Sequence, residues 1–215
     1  MKFAVRLIFA AALAIGSASF ARAQEPLPRI GPIVVDLRGL FVRFPSNQQL
    51  VDSRGLTSLT ELPGTGLGGG VGLHVYPLKW KQVTFGIGGE VVGLRAHNSP
   101  PADAASLRPV TEKFLSASPQ LSFNFGGPNG WSYISGGAGR SEWSIIPDGA
   151  SSQPADVERL TTYNYGGGGR WFVKRHLAFS FDVRIYSIKA GTPSVGFPGG
   201  PRSTLTVIGA GVSLK

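Results

Sequence analysis

Eight segments between residues 33 and 215 place apolar side chains at every second position, and the connections between them alternate strictly between long and short. The segments run at about 33–44, 66–76, 83–95, 113–125, 131–140, 160–172, 177–188 and 204–215. A period of two is the period of a β-strand, whose successive side chains point to opposite faces. The long connections are 45–65, 96–112, 141–159 and 189–203; the short turns are 77–82, 126–130 and 173–176. A soluble sandwich has no reason to gather every long loop at one end, and long loops without structure of their own count against a compact soluble domain. A transmembrane barrel expects this pattern: an even number of strands of about 9 to 11 residues, long extracellular loops and short periplasmic turns.

Polarity decides which way the faces point. In the seventh segment Leu177, Phe179, Phe181, Val183 and Ile185 oppose Ala178, Ser180, Asp182, Arg184 and Tyr186. A soluble sheet would send the charged face to water, whereas a membrane barrel sends it into the lumen and turns the apolar face to lipid. Charge on the lipid face costs about 2–4 kcal/mol at the bilayer midplane for Arg or Lys and little at the interfaces, so charge position tests the barrel. On the expected outward faces the charges are Arg43, Arg95 and Lys113, each at the long-loop end of its segment. With Lys189 they form an outer-rim ring expected to contact phosphates of outer-leaflet lipid. The expected inward charges are Asp36, Arg38, Glu90, Arg170, Asp182 and Arg184. An eight-stranded interior is just wide enough for side chains to fill, so these six read as a salt-bridged plug, with a gate for small solutes as the other reading. Glu90 is expected to pair with Arg184 or Arg38. Pro119, inside the fourth segment, reads as a bulge because it lacks a ladder donor. Trp131, Tyr133, Tyr163, Tyr165 and Trp171 suit interfacial aromatic girdles.

The first 23 residues read as a signal peptide: basic Lys2 and Arg6, an uncharged run from Leu7 to Phe20, and the small-x-small site Ala21-Arg22-Ala23. Residues 24–32 then form a short periplasmic lead, and 33–215 the barrel. Losing Lys2, Arg6 and Arg22 with the leader leaves 18 basic residues against 12 acidic ones, a net charge near +6. In an exported chain that excess points to anionic lipid and away from nucleic acid. With no cysteine there is no disulfide framework, and closure in a bilayer supplies the missing stability.

Motifs for chemistry are sparse. No phosphate loop, nucleophile elbow or zinc-helix pattern occurs, and no cofactor is expected. One arrangement suits nucleophilic catalysis: His97-Asn98-Ser99 places a base two residues from a hydroxyl, and Glu112 could orient the base. Pro100-Pro101 directly after it puts the pair in a loop.

Across 33–215 the chain resembles the small eight-stranded outer-membrane β-barrels, of the opacity protein and outer membrane protein A membrane-domain type. The architecture carries the resemblance, with segments such as GLGGGVGLHVYPLKWKQVTFGIGGE and YGGGGRWFVKRHLAFSFDVRIY. It implies an all-β up-and-down barrel, lodged in lipopolysaccharide-containing outer membrane by the assembly machinery, with a structural or surface-interaction role. Members usually end in an aromatic residue, and this chain ends Ser213-Leu214-Lys215. A narrow porin-like channel is the alternative, and a lipid A-modifying enzyme built on His97, Ser99 and Glu112 a remote one.

Overall fold

The computed structural model describes residues 30–99 and 107–215; the expected leader and most of the 24–32 segment lie outside them. Eight strands form one closed antiparallel barrel: β1 (Ile33–Arg43), β2 (Thr65–Trp80), β3 (Val83–Asn98), β4 (Val110–Gly127), β5 (Gly130–Pro147), β6 (Leu160–Lys174), β7 (Leu177–Ile188) and β8 (Ser203–Leu214). Each strand pairs with its sequence neighbour, and β1 pairs with β8. Closure leaves no unpaired edge, the condition for a β-structure to cross lipid. Followed along paired residues, Leu37 leads to Val71, Val91, Ala117, Arg140 and Thr161. That row starts mid-way along β1 and meets β6 beside its long-loop end, so the strands tilt as barrel closure requires.

The wall changes character along its height. In the half nearer the short turns, apolar residues such as Leu73, Ile87, Leu121, Phe179 and Phe181 face outward and are exposed. Towards the long loops the pattern inverts: Val42, Leu94, Phe114, Trp143, Ile145, Ile188 and Leu205 are buried inside the barrel. Apolar-out suits lipid and apolar-in suits water, so the inversion marks where the barrel leaves the bilayer.

That inversion explains why several strands outrun their expected limits. β5 continues through Ser141 to Pro147, taking the start of the expected loop 141–159, because Glu142 and Ser144 face water there while Trp143 and Ile145 face in. β3 likewise runs on through His97 and Asn98. Pro119 is not a bulge: it pairs with Gly89 in an unshifted register. The register shifts lie between Val75 and Leu78 and between Phe172 and Lys174, both near the short turns. Trp131 and Tyr133 do not join a girdle either. Their positions on β5 point inward, so Trp131 is 3% exposed where Trp171 is 57% exposed.

Candidate functional site: the charged layer of the lumen

The lumen is filled in three layers. At the short-turn end Ile30, Val34, Trp131 and Tyr133 pack with Tyr76 and Phe172, the Trp131 and Phe172 rings stacked at 5.1 Å. At the long-loop end lies the apolar cluster described above, closed by helix α1 (Gln48–Ser53), which buries Leu50 and Val51 in it. Asn47 caps α1 by accepting from the Leu50 amide at 2.9 Å. Between these layers are the charges.

All six lumen charges of the sequence analysis meet there, buried. Asp36 and Arg38 come from β1, Glu90 from β3, Arg170 from β6, and Asp182 and Arg184 from β7. Arg170 donates to both carboxylate oxygens of Asp36, from Nε at 2.9 Å and Nη2 at 2.6 Å. Arg38 joins three acids: Asp182 at 3.2 Å, Asp36 at 3.4 Å and Glu90 at 3.8 Å. Arg184 lies 3.1 Å from Asp182 and 3.4 Å from Glu90. Three guanidinium groups thus balance three carboxylates, and the layer is neutral. Burying charge is tolerable when each group is both paired and hydrogen-bonded. The second condition is met by neutral side chains: Tyr186 donates to Glu90 at 2.6 Å, Tyr133 to Asp182 at 2.8 Å, and Arg184 to Ser135 at 2.8 Å and Asn164 at 3.0 Å. The Arg170 guanidinium also lies 4.3 Å from the centroid of the Tyr133 ring.

Space for these side chains comes from glycines at paired positions. Gly72 lies opposite Asp36 and Glu90, Gly70 and Gly211 flank Arg38, Gly168 and Gly209 flank Asp182, and Gly166 lies opposite Arg184. The glycines leave the room that the arginine side chains take up. Tyr133, read from the sequence as a girdle residue, belongs to the same layer, as do His74 and Asn164, which no sequence motif marks although the inward parity of their strands places them there. Among the described residues no cluster of His, Asp and Glu could hold a metal ion.

The four rim cations, Arg43, Arg95, Lys113 and Lys189, are all exposed on the outer wall. Arg95 and Lys113 are direct register partners on β3 and β4. Arg43 pairs with Thr65 and Thr206, away from them, and Lys189 lies over the Tyr163 ring at 6.0 Å, so the four do not form one site. Arg140 is a further outward cation, level with Thr161 near the rim.

The His97, Ser99 and Glu112 arrangement is only partly assembled. His97 Nε2 is 3.2 Å from Ser99 Oγ, with His97 near the end of β3 and Ser99 just past it, where the second long loop begins. The partner of His97 Nδ1 is the Thr111 hydroxyl at 3.1 Å. Thr111 is the register partner of His97, so the next residue, Glu112, points to the opposite face. Glu112 is buried in the lumen and accepts from Trp143 Nε1 at 2.8 Å.

The loops lock over the mouth. Arg54, just after α1, bridges to Asp156 at 2.8 Å and donates to the Trp143 carbonyl at 2.9 Å. Burial lowers the affinity of Arg54 for its proton, and the charge of Asp156 partly offsets this. Glu61, in a 3₁₀ turn at Leu59–Glu61, accepts from the amides of Thr57 at 2.8 Å and Arg108 at 3.3 Å, tying the first long loop to the second. Glu158 accepts from the Thr192 amide and hydroxyl, tying the third to the fourth.

No protein-family model matches the sequence, and no curated protein sequence matches it. Solved structures do. Neisserial surface protein A gives a TM-score of 0.56 at 12% identity, covering 85% of this chain and 96% of its own. Ail, the attachment invasion locus protein of Yersinia pestis, gives 0.55 at 12% identity, covering 86% of this chain and 99% of its own; one crystal structure of it holds the heparin analogue sucrose octasulfate. At this identity the likeness establishes the fold, which is that of the small eight-stranded outer-membrane β-barrels.

Proposed function

We propose that this integral outer-membrane β-barrel is a non-conducting, non-enzymatic wall protein, structural in the membrane and interacting through its long extracellular loops. The observation that carries the reading is the filled lumen: an aromatic layer, a neutral charged layer and a capped apolar layer occupy it in succession. Each lumen charge has partners already, so a passing ion would have to displace a bond as well as find space. A surface role also draws support from the loops, which are bound to one another by Arg54–Asp156, Glu61 and Glu158 and so present one pre-organised face. Surface protein A and the attachment protein Ail share the fold, and the second binds a sulfated sugar in its crystal. Arg95 and Lys113, side by side on the outer wall at the point where it turns polar, suit phosphates of lipopolysaccharide. Planar-bilayer recording tests the closed lumen against the channel alternative.

A further inference from the structure

Among the described residues, the charged side chains of the short turns and the strand ends beside them are of one sign. The cations there are Lys79, Lys81, Lys174, Arg175 and Lys215, with His176 among them, and no aspartate or glutamate occurs in 77–82, 126–130, 173–176 or 213–215. The acids nearest along the strands, Asp36, Glu90 and Asp182, face the lumen and are already held by Arg170, Arg38 and Arg184. Among the described residues Lys174, Arg175 and Lys215 have no acidic partner in an ion pair.

Lys174, Arg175 and Lys215 line a cavity of about 630 Å³, together with Pro32, Pro128, Phe172 and His176. Lys215 reaches across it. Its ammonium group lies 3.8 Å from the centroid of the Phe172 ring and donates to the Pro128 carbonyl in the β4–β5 turn. The backbone of Lys215 is fixed to the β6–β7 turn by exchange with His176, the Lys215 amide donating to the His176 carbonyl at 3.2 Å and His176 Nδ1 lying 2.9 Å from the Lys215 carbonyl. Burial, and then the charge of Arg175, both push the Lys215 ammonium towards losing its proton.

We propose that this cavity is an anion site that takes a phosphate group. Arg175 supplies a planar fork matched to two phosphate oxygens, and Lys215 retains further N–H donors beyond the one given to Pro128. The membrane position favours phosphate over other anions. Trp80 and Trp171 are exposed on the outer wall near this end and mark the level of the headgroups, with exposed Val173 beside the cavity to meet the glycerol and acyl carbons of a lipid. The phosphate has two sources, the headgroup of an anionic phospholipid in the inner leaflet or a free phosphate.

The test uses the refolded full barrel in detergent, with phosphatidylglycerol followed by native mass spectrometry and inorganic phosphate followed by amide chemical shifts of the 173–176 turn. Binding of phosphatidylglycerol alone assigns the site to a headgroup, and binding of inorganic phosphate without lipid assigns it to free phosphate. In either case the double variant R175Q/K215Q is expected to bind at least about tenfold more weakly, since bonds to charged groups are lost, while R202Q, in the exposed fourth long loop at the opposite end, binds as the native chain does. The single variant R175E, changed in an exposed turn, repeats the test should the double variant fail to fold. Absence of binding by both probes, or equal binding by native and variant barrels, overturns the proposal.

Discussion

Arg170 on β6 holds Asp36 on β1 through both carboxylate oxygens, at 2.9 and 2.6 Å, and so ties two non-adjacent strands across the lumen. Removing one partner leaves the other charged, buried and unpaired. Asp36→Ala is expected to lower the unfolding free energy by about 3–5 kcal/mol. Replacing both together, Asp36→Leu with Arg170→Met, should recover most of that loss. Urea unfolding of the barrel from lipid vesicles, followed by tryptophan fluorescence, measures both. A single variant as stable as the native chain would contradict the pairing.

The loop cap has its own pH dependence. Burial opposes ionisation of Glu61, but the amides of Thr57, Arg108 and Ser58 outweigh it and hold the carboxyl below its ordinary range. A carboxyl with a depressed folded-state pKa contributes stability that is complete above its unfolded value, about 4.3, and is lost as pH falls through the folded value. The tie between the first two long loops should therefore hold at neutral pH and loosen below about pH 4. Hydrogen exchange at Thr57 and Arg108 reports this directly, and in Glu61→Gln the exchange should already be fast at pH 7. Protection that is unchanged by either acid or the substitution would rule the tie out.

At the outer rim, reversing Arg43, Arg95, Lys113 and Lys189 to glutamate is expected to reduce barrel stability in lipopolysaccharide-containing membranes and to have less effect in zwitterionic phospholipid. The comparison of heat-modifiable gel migration in the two membranes separates lipid contact from intrinsic destabilisation. Equal shifts in both would end the lipid-phosphate reading. Because Arg95 and Lys113 are adjacent and the other two stand apart, the R95E/K113E pair should account for most of the effect.

The strands and their number follow from period-two alternation because lipid imposes a simple rule on the outer face. Where the wall leaves the lipid, the rule reverses, and the alternation of Ser141 to Pro147 reads as a loop although it is strand. The six lumen charges were legible by parity alone, since a charge excluded from lipid has only the interior left. Their partners were less so. The pairing of Tyr186 with Glu90, or of Arg38 with three acids at once, depends on tilt and on which strands face one another across the barrel, and neither is written in local sequence. Trp131 and Tyr133 were misplaced because an aromatic near a strand end serves a girdle or a plug equally well until the register of β5 is fixed. Glu112 illustrates the same limit: one residue of register separates a carboxylate beside His97 from one facing the lumen.

The closed lumen is the central claim, and single-barrel recording in a planar bilayer tests it most directly. The native barrel is expected to give no steady conductance above the bare membrane at either polarity. Discrete, persistent current steps whose size changes in Glu90→Ala or Arg184→Ala would mean that ions pass through the charged layer, and would contradict it.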